Sequence, residues 1–231
     1  DFDNILYRLK TDESTFLPVF RVKASSGSNK KVRIIVLDEN NWPKWNPVLG
    51  HFFSDLPFFE KGAEQAKGQL SIKKDEDLFF ISVRGVGPAA FSGDRMSVSQ
   101  LKRRFYLIGQ TLEQMQTWDL VQGVRAIQSS TKGQKISLNA SGQFANMLVY
   151  SSLYFDFQTK LDLEQPELDH HQGPTYPNIL KYMNVPASFL MAAEKHEVNI
   201  HIDSDKKGWM ELEKLASGYS GFNLSIQEEG R

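Results

Sequence analysis

The fold of this chain is decided by one stretch, Lys135-Ile136-Ser137-Leu138-Asn139-Ala140-Ser141-Gly142-Gln143-Phe144-Ala145. Its first four residues have the pattern of a short strand, and residues 143–154 have the pattern of an apolar helix. The same succession of strand and helix recurs to the end of the chain. It predicts an α/β protein with right-handed crossovers and a mostly parallel sheet covered on both faces.

The other predicted elements lie on either side of this stretch. The predicted strands are 5–9, 17–22, 32–37, 78–83, 135–138, 159–163, 198–202 and 222–226. The predicted helices are 52–66, 99–127, 143–154, 186–194 and 206–215, with Gly109 and Gly123 as points where the long second helix can kink or divide. Because the first three strands follow one another without a helix, they predict an antiparallel edge. We expect residues 1–231 to form a single domain.

Composition excludes several classes of protein. The 231 residues are 40% hydrophobic and 24% charged, with a net charge of −1, which argues against a nucleic-acid-binding surface. The basic cluster Lys102-Arg103-Arg104 is interpreted as a solvated helix face. There are no cysteines, so disulfides, thiolate nucleophiles and Cys-ligated metals are excluded. No apolar run approaches the roughly 20 residues that cross a bilayer. The acidic, polar start Asp1-Phe2-Asp3-Asn4 does not resemble a signal peptide.

These features predict a soluble chain with no membrane partner and no assigned compartment. Because the sequence begins without Met, we expect a mature product or a piece of a longer chain. No cofactor is predicted. A metal site is not predicted either, since the His170-His171 pair has no carboxylate at a ligand spacing.

Four motifs, in order, resemble the α/β-hydrolase superfamily, in particular its acetyl-xylan-esterase-like and prolyl-oligopeptidase-like branch. Phe16-Leu17-Pro18-Val19-Phe20-Arg21-Val22 resembles the entry hairpin, and Arg84-Gly85-Val86-Gly87-Pro88 resembles the Gly-Pro turn after the fourth strand. Arg103-Arg104-Phe105-Tyr106-Leu107-Ile108-Gly109-Gln110-Thr111-Leu112 and Trp118-Asp119-Leu120-Val121-Gln122-Gly123-Val124-Arg125-Ala126-Ile127 resemble the helix pair before the nucleophile strand. The resemblance implies a three-layer α/β sandwich. It also implies that this is a degenerate second domain of the kind found in two-domain bacterial relatives.

The resemblance implies a nucleophilic Ser on a strained turn after the fifth strand, an acid after the seventh and a His after the eighth. If Ser141 is the nucleophile, Asn139 and Gln143 stand where the turn needs small residues. A register shifted by one residue instead places Gly142 at the nucleophile position. We prefer this second register, in which Ser141 is a turn or helix-capping residue.

The acid and the base that a triad needs also have candidates in the sequence. Asp203 and Asp205 follow the seventh predicted strand, although Asp-Ser-Asp before a helix is also an ordinary cap. No His follows the last predicted strand, so His171, in the irregular loop Leu168–Pro174, is the candidate base. In the loop after the third strand, Trp42 and Trp45 can either stack on a sugar ring or pin the loop to the core.

Three hypotheses follow, and they leave open whether the chain is an enzyme. The first is an esterase-like domain with an incomplete triad that is the structural or substrate-presenting partner of a companion catalytic domain. The resemblance implies a carbohydrate ester as its ligand. The second is an active serine esterase that uses Ser141 with Asp203 or Asp205, and either His171 or a His beyond Arg231. The third is a peptidase-like regulatory domain.

Overall fold

The computed structural model describes residues 2–24, 31–57, 59, 75–92, 95–131, 133–203 and 207–228. Its contacts divide the chain into two compact units. The first comprises residues 1–91 and 122–136, and the second comprises residues 92–121 and 137–231. Each unit is built from two stretches of sequence, and the expectation of a single domain stays a prediction. No helix among the described residues has the length and hydropathy of a membrane span.

The first unit contains the antiparallel edge. Its strands are β1 (Phe2–Lys10), β2 (Phe16–Ala24), β3 (Lys31–Leu37) and β4 (Glu76–Ser82), in the spatial order β1-β2-β4-β3. β1 and β4 both run antiparallel to β2, whereas β3 and β4 are parallel. Nearly every residue of β3 and β4 is buried, as expected for strands covered on both faces.

The first helix, α1, spans Trp42–Phe52, so the prediction of a helix at 52–66 was wrong for residues 53–57. Residues 60–66 lie outside the described residues. The start signal is Asn41 followed by Trp42-Pro43, because Pro is well suited to the first turn of a helix. The prediction followed the apolar spacing of Phe52 and Phe53 and overlooked this signal.

The second unit carries a fully parallel set of strands. These are β5 (Lys135–Ser141), β6 (Lys160–Glu164), β7 (Glu197–Ile202) and β8 (Leu224–Glu228), in spatial order β5-β6-β7-β8. The helices that follow β5, β6 and β7 are α4 (Gly142–Ser152), α5 (Val185–Lys195) and α6 (Lys207–Ser217). Their order along the chain is the one predicted from the sequence.

The long helical stretch predicted at 99–127 is two helices, α2 (Arg95–Leu107) and α3 (Leu112–Ser130). Gly109 divides them, since its φ of +75° ends the first helix in a conformation that favours glycine. Gly123 lies within α3 and does not divide it. A Cβ on Gly123 would come within 3.1 Å of Cδ1 of Ile81, so a close approach of helix and strand requires glycine there.

The strands of the second unit differ from ordinary buried parallel strands. In β5 the buried residues Ile136, Leu138 and Ala140 alternate with less buried polar ones, and β6 repeats this alternation. On the polar face, Asp162 accepts hydrogen bonds or ion-pair contacts from Lys160 at 3.1 Å and from Asn199 at 3.0 Å. One face of this sheet is therefore apolar, and the other is a hydrogen-bonded polar surface.

Over the described residues the chain has eight strands and six α-helices. The strands form a mostly parallel sheet with an antiparallel edge. This confirms the predicted fold class.

Candidate functional site

The turn after β5 is the feature on which the catalytic prediction depends. Ser141 is the last residue of β5 and has an extended backbone, with φ −126° and ψ 155°. Gly142 begins α4 and has a φ of +52°. A left-handed residue between strand and helix is the strained position that carries the nucleophile in an elbow. In this chain that position is Gly142, which agrees with the shifted register.

The position of Gly142 has room for a side chain, but glycine supplies no hydroxyl group there. A Cβ built on Gly142 would meet no atom within 4 Å. In the shifted register Phe144 replaces the first of two small residues in the helix, and Ala145, the second, is fully buried in the first turn of α4. The turn therefore keeps the geometry of an elbow and carries no side chain at its tip.

Helix α4 is fastened to the segment that carries the paired histidines. The buried amide of Asn146 donates to the carbonyl of Glu167 at 2.8 Å and accepts from the N–H of Glu167 at 2.8 Å. Gln143 donates to the carbonyl of Gln172, also at 2.8 Å. These three bonds hold both ends of the segment 167–172 against α4.

Within that segment, the structure orients His170 inward and His171 outward. Nε2 of His170 lies 3.1 Å from the hydroxyl of Tyr150 on α4. Nδ1 of His170 is buried and has no hydrogen-bond partner within the described residues. The side chain of His171 is exposed, and its backbone N–H donates to the carboxylate of Asp169. The sequence analysis named His171 as the candidate base, and that assignment stays a prediction; of the two histidines, His170 is the one whose ring contacts α4.

His170 lies beside two tyrosines that sequence reasoning missed. The rings of Tyr150 and Tyr176 meet edge to face with centroids 4.9 Å apart, and the hydroxyl of Tyr176 lies 2.5 Å from Oγ1 of Thr117 on α3. Burial raises the pKa of both phenols, so both are neutral hydrogen-bonding groups at neutral pH. Tyr150 lies within the apolar pattern of α4, and nothing in that pattern separates it from a core residue.

The acid candidate Asp203 lies at the carboxyl end of β7, at the same edge of the sheet as the turn after β5. The parallel register aligns Ser141, Glu164 and His201 in one row across β5, β6 and β7. Ser141 and His201 are therefore two strands apart, or about 9–10 Å by ordinary sheet spacing. Asp203 follows β7 by one residue and its side chain is exposed. Asp205 lies outside the described residues.

Among the described residues, no bond links the imidazole of His171 to Ser141 or to Asp203. Nor do any three His, Asp or Glu side chains in the described ranges converge as they would around a metal ion.

The loop after β3, considered by itself, is closed by one buried carboxylate. Asp38 accepts from the N–H groups of Asn40 and Asn41 at 2.8 and 2.7 Å, and its carbonyl accepts from the N–H of Trp42. An oxyanion hole needs backbone donors that point at the substrate. The N–H groups of Asn40, Asn41 and Trp42 point at Asp38 instead.

The two tryptophans of this region are half-buried. The indole of Trp42 lies against Gly87, where a Cβ would come within 3.0 Å of the ring. Trp45 packs edge to face on Phe80 of β4, with ring centroids 5.1 Å apart. The ring of Trp42 also packs on Phe59, with centroids 5.8 Å apart, and Nζ of Lys44 lies 5.2 Å from the centroid of the Trp45 ring, so both indoles are engaged within the first unit.

The chain was compared with protein-family profiles, curated sequences and solved structures. No protein-family profile and no curated protein sequence matches the chain. Solved structures do match over almost its whole length. An acylaminoacyl peptidase from Pyrococcus horikoshii is 12% identical with a TM-score of 0.58, over 99% of this chain and 38% of that one. A putative acetyl xylan esterase from Bacteroides fragilis is 10% identical with a TM-score of 0.59, over 99% of this chain and 66% of that one.

The chain has an α/β-hydrolase fold. A further match, the protein TT1662 from Thermus thermophilus, is 11% identical with a TM-score of 0.59, over 100% of this chain and 89% of that one. The α/β-hydrolase resemblance and the esterase-like and peptidase-like neighbours predicted from the motifs are confirmed at the level of the fold. The chain spans about 38% of the length of the Pyrococcus peptidase.

Proposed function

We propose that this chain is a non-catalytic α/β-hydrolase domain, the structural or substrate-presenting part of a larger hydrolase. The observation that carries the proposal is the φ of +52° at Gly142, which puts a glycine where an active relative needs its serine. Acyl transfer begins when a hydroxyl oxygen attacks the carbonyl carbon and a base takes its proton. Glycine has no oxygen to attack with, and Ser141 lies on the extended strand before the turn.

The surroundings of the turn support the same proposal. The inward imidazole, that of His170, lies at hydrogen-bond distance from the phenol of Tyr150. At Nε2 this imidazole is therefore engaged by a phenol and not by a serine hydroxyl. Considered separately, the loop after β3 in the first unit directs the N–H groups of Asn40 and Asn41 to Asp38.

The test is a fluorophosphonate probe together with p-nitrophenyl acetate. We expect the wild-type chain to show no stoichiometric labelling, and to hydrolyse the ester no faster than its Ser141→Ala variant. Stoichiometric labelling of the wild type that disappears in Ser141→Ala would instead establish the active serine esterase. His171→Ala and Asp203→Ala would then decide whether those residues complete its triad.

We further propose an acylated carbohydrate as the ligand that this domain presents to a companion catalytic domain. The indoles of Trp42 and Trp45 are half-buried, and an indole is a side chain suited to stacking on a sugar ring. Acetylated xylo-oligosaccharides are the probe, and binding is measured by titration calorimetry. We expect Trp42→Leu to weaken binding at least about tenfold. Trp118→Leu is the matched control, since Trp118 is an indole 44% exposed on α3. Equal losses in both variants, or no heat with the wild type, would contradict the ligand assignment.

A further inference from the structure

Strand β1 is a long edge strand whose charged residues, Asp3, Arg8 and Lys10, lie outside its centre. It stands at the end of the strand order and pairs with β2 alone among the described residues. The pairing runs without interruption from Phe2↔Ala24 to Lys10↔Phe16, so β1 is nine residues long and has no bulge. It also contains no proline. Long, regular edges of this kind are templates for pairing with another strand.

The centre of β1 is apolar on both of its faces. Ile5, Leu6 and Tyr7 are 39%, 41% and 37% exposed. Because side chains alternate along a strand, Leu6 points to one face of the sheet, and Ile5 and Tyr7 point to the other. An exposed edge that is apolar on both faces is typical of a strand that is covered by a binding partner.

A cavity opens beside the face that carries Tyr7. Its volume is about 190 Å³, and Tyr7, Leu9, Val19, Phe79, Gly123 and Ile127 are among the residues that line it. A cavity of about 150 Å³ holds a benzene ring, so there is room here for one aliphatic side chain. A strand that pairs with β1 can therefore place a side chain into the first unit.

We propose that β1 pairs antiparallel with β1 of a second copy of this chain, about a two-fold axis beside Leu6. Alternate residues of a strand turn their backbone groups to the same edge, so the axis of such a self-pair passes beside a residue. With the axis at Leu6, Leu6 faces its own copy and Ile5 faces Tyr7. Both central pairings are then apolar. With the axis at Ile5, Leu6 would face Asn4 instead.

The charges of β1 support the same occupant. Asp3 lies in the first half of the strand, and Arg8 and Lys10 lie in the second half. In this antiparallel register Asp3 lies opposite Leu9 and Arg8 lies opposite Asn4, so no like charges face each other across the pair. The same register brings Ile5 of the second copy next to Tyr7, at the cavity. Two-fold dimers are also the commonest assemblies of identical chains.

The contact is small, because one strand of each copy forms it. We therefore expect a dissociation constant in about the micromolar range. Sedimentation equilibrium of the full chain from about 1 μM to about 1 mM measures it. The wild type should convert from monomer to dimer over this range. Leu6→Lys places two ammonium groups against each other at the axis and should raise the dissociation constant at least about tenfold.

The matched control is Leu215→Lys, because Leu215 is 50% exposed on α6 and belongs to the second unit. It should dimerise as the wild type does. Circular dichroism of both variants shows whether they are folded.

The register is tested by cross-linking, for which a chain without cysteine is well suited. Paired residues of antiparallel strands have Cα atoms about 4.5–5.5 Å apart, within the range of a disulfide. Under oxidation, Leu6→Cys should give a covalent dimer, and Leu215→Cys should not. A wild type that stays monomeric at about 1 mM, a dimer that Leu6→Lys leaves intact, or a Leu6→Cys variant that does not cross-link would each overturn the proposal. None of these results depends on the chemistry at the turn after β5.

Discussion

At the turn after β5, two neighbouring residues have very different backbone conformations. Ser141 is extended, whereas Gly142 is left-handed with a φ of +52°. Serine is common at the ends of helices, so its presence near the turn says little by itself. The catalytic interpretation therefore depends on the φ angle of Gly142, and the identity of a residue does not by itself fix its φ angle.

We expect Gly142→Ala to lower the free energy of unfolding by about 1–2 kcal/mol, because an L-residue is strained at positive φ. The new methyl group has free space, so the loss measures backbone strain and not a clash. Gly221→Ala is the control, since a Cβ there also meets no atom within 4 Å and no positive φ is required. It should change stability by less than about 0.5 kcal/mol. Urea unfolding of both variants checks this, and equal losses would contradict the strain.

His196 is a second residue whose environment determines its behaviour. Its side chain is 3% exposed, and Nε2 lies 3.0 Å from the carbonyl of Ser152. Burial lowers the pKa of His196 below its ordinary value of 6.5, and the positive charge of Lys195 lowers it further, although the bond to Ser152 acts in the opposite direction.

This depressed pKa predicts how stability depends on pH. Between the folded and the unfolded pKa the unfolded chain binds the proton and the folded one does not, so acid favours unfolding. The contribution of His196 is complete above about pH 6.5 and is lost as the pH falls through its folded pKa. We expect His196→Gln to flatten the fall in the free energy of unfolding between about pH 7.5 and pH 5. An unchanged slope in that variant would assign the pH dependence to other groups.

At the scale of elements, strands β2 and β4 are joined by an ion pair inside the first unit. NH2 of Arg21 lies 2.6 Å from Oδ2 of Asp77, whose side chain is fully buried. The two residues are diagonal neighbours on adjacent antiparallel strands, since Arg21 pairs with Phe79 and Lys23 pairs with Asp77. Next to this pair, Arg33 on β3 contacts Glu76 at 3.1 Å with both side chains more exposed.

We expect Arg21→Met to lower the free energy of unfolding by about 3–5 kcal/mol, because it leaves the carboxylate of Asp77 buried without its guanidinium. Arg33→Met is the control and should cost about 1 kcal/mol or less. Adding Asp77→Leu to Arg21→Met should recover part of the loss, since the buried charge is then gone. Guanidinium unfolding of the three variants measures these differences, and a double variant less stable than Arg21→Met would refute this explanation.

At the scale of the whole molecule, the charges nearly balance. The chain has 27 Lys and Arg, 28 Asp and Glu, and an isoelectric point of about 6.6. Charge repulsion between copies is weakest at that pH.

We therefore expect the lowest solubility between about pH 6 and pH 7, and a rise on both sides of it, as measured by light scattering at low salt. The Leu6→Lys variant, which adds a positive charge to the β1 edge, should be more soluble than the wild type in acid. Solubility that changes in one direction only across this range would contradict the prediction.

The order of elements followed from the sequence because it is a local property. The apolar run Val32–Leu37, the helical spacing of Gln143–Tyr154 and the strand Val198–Ile202 each appear where the pattern predicted them. Backbone hydrogen bonding and the burial of one face set the period of such segments, and both depend on near neighbours in the chain. The α/β fold class was predicted on this basis and confirmed, whereas the α/β-hydrolase fold was predicted from the resemblance of four motifs and then confirmed.

Tertiary structure alone decided which atoms meet. The preferred register had already placed Gly142 at the nucleophile position, and the structure added its left-handed φ. The structure also determined that His170 turns inward while His171 faces solvent, and that β1 keeps an open apolar edge. A turn angle, the direction of a ring and the exposure of an edge depend on contacts between segments far apart in the chain. Local patterns carry no information about such contacts, which is why the fold was read from the sequence and the site was not.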